Sequence, residues 1–217
     1  QEILSYEKAM RERNRLLKEA SRNSDWYRAI ENQMAIAGAE IIKNRNITLT
    51  KLSLSMKSSQ TSFPVADLSL INEEKDLNIF SADQFREVLE IKRSEDLYLG
   101  RTSVGPHKTD LKVQYKEKGI DAKYCSTGEQ KALLISLILA NARGLLREEG
   151  APPIMLLDEV SAHLDYKRRQ DLYEEISSLG AQAWMTGTDV DLFKEILNIS
   201  QQFKVVDKNG KSSVLIQ

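Results

Sequence analysis

The sequence predicts a mixed α/β chain, a mostly helical region followed by a parallel sheet flanked by helices. Three observations carry that expectation. Tyr6, Met10 and Leu17, then Trp26, Ile30, Met34, Ala37 and Ile41, recur at helical spacing near the start. Ser126-Thr127-Gly128-Glu129 has capping-box spacing and opens a run, Ala132 to Ala142, that is apolar almost all round. Ile154-Met155-Leu156-Leu157, bounded by Pro152-Pro153 and by Asp158-Glu159, reads as a central parallel strand buried on both faces.

In chain order, Gln1 to Ala20 reads as a helix, joined by a short Arg-Asn-Ser turn to a second helix capped by Ser24. The pair makes an αα-hairpin. On the first helix Lys8, Arg11, Arg15, Lys18 and Arg22 fall three and four residues apart, with Glu7, Glu12 and Glu19 between them. That stripe suits a solvated face, or a track for phosphates. Ile47 to Met56 is ambiguous, because its β-branched alternation also suits a strand. Lys57 to Ser62 is a polar loop, Phe63 to Ile71 a strand, and Asn72 to Asp76 a charged turn. Ser81 and Gln84 repeat the capping box ahead of a helix through Lys92. Leu97 to Val104 leads into the loop Gly105-Pro106-His107-Lys108. Lys112 to Tyr115 and Ile120 to Tyr124 form a hairpin. The boundary falls between residues 104 and 105. Beyond Asp165, an N-cap, an amphipathic helix runs from Tyr166 to Leu179 and stops at Gly180. Gln182 to Met185 is the next parallel strand, and Asp189 caps the helix Val190 to Leu197. Phe203 to Val206 and Ser213 to Ile216 close the chain as a hairpin across Asn209-Gly210.

Composition narrows the function. The chain has 217 residues, 41% apolar and 29% charged, with a net charge of −1. A globally basic nucleic-acid binder is excluded, but a local basic patch is not. One cysteine rules out an intrachain disulfide and, with no signal peptide or membrane-spanning run, points to the cytoplasm. Two histidines and one cysteine give no zinc spacing.

Two places carry chemistry. The amides at the start of the helix after Ser126 form a ready anion site, and Gly128 lets a ligand come close. Asp158 and Glu159 end a parallel strand, where α/β sheets bind ligands. Their side chains alternate, so one can hold Mg²⁺ while the other orients and deprotonates a water.

In order along the chain, Ser126-Thr127-Gly128-Glu129-Gln130, Leu156-Leu157-Asp158-Glu159 and Ser161-Ala162-His163-Leu164-Asp165 resemble the signature motif, Walker B strand and D-loop of ABC-type ATPases. Thr127 and Val160 stand where transporters have glycine and proline, as in the RecF and chromosome-maintenance branch. Gly105-Pro106-His107-Lys108-Thr109-Asp110 and Tyr6…Arg13-Asn14…Leu16-Leu17-Lys18 are also similar to the RecF family. The resemblance implies a helical arm (1–104) and the C-terminal half of an ABC ATPase head (105–217), with helix continuing through Ile47 to Met56. It implies a DNA repair ATPase that dimerises on ATP and Mg²⁺, helping to load recombinase at gapped DNA with RecO- and RecR-type partners. Asp158 would hold the metal and Glu159 would act as catalytic base. Ser126, Thr127, Gly128 and Glu129 would grip the γ-phosphate in a sister subunit, with Ser161, Asp165 and Thr188 lining the nucleotide. Thr188 stands where many relatives have a switch histidine. DNA contacts would come from Arg11, Arg15, Lys18 and Arg22, with His107 and Lys108 either structural or touching DNA.

The family's Gly-x-x-x-x-Gly-Lys-Ser/Thr loop is absent from this sequence. The chain is therefore expected to be the C-terminal part of a longer protein and to bind nucleotide poorly alone. The alternative is a non-catalytic DNA- or partner-binding module of the same ancestry.

Overall fold

The structure, a computed structural model, describes residues 1–58, 61–72, 81–161, 164–208 and 210–216. Most of the expected turn Asn72 to Asp76, together with Ala162, His163 and Asn209, lies outside the described residues. The chain divides into two compact units that are discontinuous in sequence. The first holds Gln1–Ser53 and Asp67–Gln114, and the second holds Leu54–Ala66 and Tyr115–Gln217. The expected boundary at 104/105 lies inside the first of these.

In the first unit, α1 (Glu2–Lys18) and α2 (Ser24–Lys57), which belongs to this unit as far as Ser53, form the predicted hairpin. The cap of α2 differs from expectation. Asn23 Oδ1 accepts from the amides of Asp25 and Trp26, both at 3.1 Å, so Ser24 is already helical. α2 runs through Ile47 to Met56 without a break; the exposed Thr48 and Thr50 fit the helix by donating their hydroxyls to the Asn44 and Asn46 carbonyls, each at 2.9 Å. Tyr6, Ala9, Met34, Ala37, Ile41, Phe85, Leu89 and Val104 make the core. Trp26, counted with that stripe in sequence, is exposed. Ser81 and Gln84 complete a capping box on α3 (Ala82–Ile91). A short α4 (Arg93–Leu99) follows and stops at Gly100, which is left-handed. β1 (Ala66–Asn72) and β2 (Thr109–Tyr115) are neighbouring strands.

In the second unit, the turn after β2 returns the Lys118 and Gly119 amides to the Tyr115 carbonyl, and β3 is only Ile120–Asp121. α5 (Thr127–Glu149) packs against α6 (Tyr166–Leu179). β4 (Met155–Leu157) pairs in parallel with β5 (Ala183–Met185), Leu157 opposite Met185. Ala132, Ile135, Leu139, Met155, Leu157, Leu172, Ile176 and Ile196 share one core. Val190–Ile199 is 3-10 rather than α-helical. β6 (Phe203–Lys208) and β7 (Lys211–Ile216) form the expected antiparallel hairpin.

One expectation is corrected. β4 is buried on one face only: Met155 and Leu157 are inside, while Ile154 and Leu156 are 66% and 78% exposed, and Trp184 of β5 is 52% exposed. An apolar run reads as a doubly covered strand, but the described residues cover it on a single side. Leu134 and Ile138 of α5 are likewise exposed, so that helix is less enclosed than its composition suggests.

Candidate nucleotide site and basic stripe

The start of α5 is built by local hydrogen bonds. Ser126 is an extended N-cap whose Oγ accepts from the Glu129 amide. Glu129 Oε2 in return accepts from the Ser126 amide and from its hydroxyl, both at 2.8 Å. The other carboxylate oxygen of Glu129 pairs with Lys118 from the turn after β2. Lys118 also lies over the Tyr115 ring, 5.4 Å from its centre. This cation and the two Ser126 donors hold the Glu129 carboxyl down to about 2. Thr127 and Gly128 are exposed, and a Cβ placed on Gly128 would meet nothing within 4 Å. The fold therefore does not demand glycine there. The space above the helix tip is open to an incoming group.

The acid pair sits at the carboxyl end of β4. Asp158 and Glu159 are both exposed. Thr186, the first residue after β5, donates its hydroxyl to Asp158 Oδ1, and the Thr186 hydroxyl oxygen itself accepts from the Glu159 amide at 2.9 Å. Glu159 has φ +49°, a left-handed conformation that residues with a Cβ seldom adopt. Asp158 can offer its second oxygen to a cation. Among the described residues no group of three or more His, Cys, Asp or Glu gathers around it. A Mg²⁺ ion fits there only if phosphate and water complete its shell, which is its habit.

The remaining predicted positions divide. Ser161 is buried and hydrogen-bonded at 2.9 Å to Tyr173, whose own hydroxyl proton goes to the Leu192 carbonyl. Asp165 caps α6 by accepting from the Arg168 amide. Thr188 is exposed, and it is Thr186 that meets the acids. Sequence reasoning missed Thr186. The parallel register that puts Met185 opposite Leu157 brings it there, and no signal along the sequence fixes that register.

In the first unit Arg11, Arg15, Lys18 and Arg22 are all exposed, with Arg15 paired to Glu12 at 2.9 Å. His107 and Lys108 belong to a single 3-10 turn, Pro106–Lys108. His107 Nε2 lies 3.2 Å from the Thr102 carbonyl, and Nδ1 lies 2.8 Å from the Tyr6 hydroxyl. The carbonyl can only accept, so Nε2 carries the proton and Nδ1 accepts from Tyr6. Lost hydration lowers the His107 pKa, and burial drives the Tyr6 phenol well above its usual range.

Below this turn lies a side-chain network the sequence did not announce. Arg13 is fully buried. It donates to Glu31 at 3.0 Å, to Asp96 at 2.6 Å, to the Thr102 hydroxyl at 2.9 Å and to the Leu89 carbonyl at 2.9 Å. Arg93 adds a second cation to Glu31 at 2.6 Å. Asn14 accepts from both the amide and the hydroxyl of Thr102 at 2.8 Å. Gly105 completes the turn at φ +131°, where a Cβ would lie 2.3 Å from the Tyr6 hydroxyl. The sequence hint was an arginine at position 13, off the basic stripe, with Ala9, Met10, Leu16 and Leu17 three and four residues away on its own helix face.

No protein-family model matches the chain. Curated relatives named DNA replication and repair protein RecF do. That of Brucella abortus is 45% identical over 210 residues, which are 94% of this chain and 55% of the relative. That of Mesorhizobium japonicum is 42% identical over 214 residues, 95% of this chain and 56% of the relative. That of Rickettsia prowazekii is 41% identical over 204 residues, 92% and 57% respectively. A solved structure described as the recombination mediator protein RecF–ATP in the RecFOR pathway superposes with a TM-score of 0.75 at 27% identity. The match covers 99% of this chain and 57% of that one.

Proposed function

The chain belongs to the RecF family, spanning about half the length of its curated relatives, and on that premise we propose that it carries two working surfaces of a DNA-repair ATPase. The observation that supports this best is the acid pair: two exposed acidic residues at the carboxyl end of a parallel strand pair, with one hydroxyl bonded to the carboxylate of the first and the backbone amide of the second. With MgATP present, phosphate charge would be shared between the metal and the protein. Asp158 would hold the metal through its free oxygen, and Glu159 would take a proton from the attacking water. Ser126 and the amides from Thr127 to Glu129 would meet the γ-phosphate of nucleotide bound to a sister molecule, which makes ATP the adhesive of a homodimer. Ser161 and Asp165 are proposed to shape the loop between the acids and α6, and Thr188 to face the nucleotide from beyond β5.

DNA, in double-stranded and gapped form, would lie along Arg11, Arg15, Lys18 and Arg22, held through its phosphates. Lys108 is proposed to add a contact and His107 to brace the turn beneath it. RecO- and RecR-type proteins are the proposed partners.

The chain itself contains no Gly-x-x-x-x-Gly-Lys-Ser/Thr loop, so hydrolysis is proposed for a full-length protein that supplies one. The bare side of β4 and β5 is where such a portion would pack. Taken by itself, the chain suits the second reading, a binding module without catalysis.

Ser126→Arg in the full-length protein provides the test. It should abolish ATP-driven dimerisation, measured by light scattering, while the monomer keeps its thermal stability. Dimers forming undiminished would overturn the trans assignment.

A further inference from the structure

We propose, resting on the reading above, that Thr186 is a positioning residue for the acid pair and couples the end of β5 to the Asp158 carboxylate and to the Glu159 backbone. A threonine hydroxyl has one proton and can accept as well. Here the partners dictate its direction. A carboxylate can only accept, so the proton goes to Asp158 Oδ1; a backbone amide can only donate, so the oxygen receives Glu159 N–H at 2.9 Å. The Thr186 amide in turn donates to the Leu157 carbonyl at 3.1 Å. One residue is thus stitched to three consecutive positions, Leu157, Asp158 and Glu159.

Each stitch has a consequence. The bond to Asp158 occupies one oxygen and turns the other outward, which settles the direction from which a cation is met. The bond from Glu159 N–H holds that residue in its left-handed conformation, so its side chain leaves the strand at an angle ordinary strand geometry would not give. Immediately after Thr186, Gly187 packs so tightly that a Cβ would lie 2.9 Å from the Phe193 ring. The segment is therefore seated on the core, and a displacement of Thr188 or Asp189 on meeting nucleotide is passed through Thr186 to the acids. A switch residue acting on this site need not be a histidine reaching the phosphate. The hydroxyl two positions before Thr188 already touches the groups that need to be set.

The test uses full-length protein, Thr186→Val to remove the hydroxyl at nearly constant shape, and Thr186→Ser to keep it. Turnover of Thr186→Val should fall at least about tenfold, the usual cost of losing a group that orients a metal ligand, with the KM for ATP and ATP-driven dimerisation unchanged. Thr186→Ser should restore turnover. Independently of activity, the backbone chemical shifts of Glu159 should leave the left-handed range in Thr186→Val and stay there in Thr186→Ser. If Val does not fold, Thr186→Ala replaces it with the same expectations. Parental turnover in the hydroxyl-free variant, a Ser variant as slow as Val, or unmoved Glu159 shifts would overturn the proposal. Glu159→Gln separates the two layers. If it is slow and Thr186→Val is not, only the positioning role falls; if it turns over normally, the catalytic reading itself falls.

Discussion

The Arg13 cluster of the first unit and the Asp158–Glu159 pair of the second are both small networks of charge and hydroxyl, yet they are built to opposite rules. Arg13, Glu31 and Asp96 are at most 1% exposed, and Arg13 donates to four acceptors at 2.6 to 3.0 Å. Burying a guanidinium is costly unless its donors are met, so saturation is a condition of the fold. Asp158 and Glu159 lie in solvent, with one oxygen of Asp158 engaged and a strained backbone at Glu159. Where partners are complete, the network is architecture. Where capacity is left over beside strain, the network can do chemistry.

The largest effect should come from breaking the saturated network. Arg13→Met leaves Asp96 and Glu31 buried without their shared cation and should cost about 3–5 kcal/mol, read as a lower urea midpoint. Loss of only a few tenths would mean that Arg93 can carry Glu31 alone. The acid pair should behave inversely. Glu159→Gln should slow hydrolysis about 10²-fold in the full-length protein and leave the urea midpoint in place. A marked loss of stability would make the pair structural after all.

Smaller effects sharpen the contrast through pH. The folded pKa of His107 lies below the ordinary 6.5, first through desolvation and further through Lys108 and Arg13, against the Thr102 carbonyl and Asp96. The unfolded chain therefore takes up that proton first. Stability should decline as pH falls through 6.5 and level off below the folded value, and His107→Gln should flatten that slope. Glu129 has the opposite character. Its carboxyl is held at about 2 from an ordinary 4.5, so its contribution is present above pH 4.5 and lost as pH falls towards 2. Lys118→Ala should raise the Glu129 pKa towards its ordinary value in an NMR titration, with little change in the fold. A Glu129 that still titrates near 2 would place the depression on Ser126 alone.

Much of this was legible because it is local. The capping boxes at Ser81 and Ser126, the Asp165 cap and the Gly180 stop involve residues three or four apart, and backbone hydrogen bonding decides such features within one turn. The strand ending in Asp158-Glu159 was legible for the same reason, from the contrast between four apolar residues and two acids. The cap of α2 was misplaced by one residue, since Asn23 and Ser24 are equally suitable and only the approach angle of the chain chooses.

What the sequence determined, then, was the order of elements, the helix starts, the acids at a strand end and the kinship those motifs carry. Each depends on neighbours along the chain, whose geometry covalent connection sets. Tertiary structure alone decided that Arg13 reaches Asp96 and Thr102, that Thr186 rather than Thr188 touches the acids, and that β4 is covered on one side. Those pairings join residues 27 to 89 positions apart, and hydrogen bonds at that separation exist only after packing has made the choice.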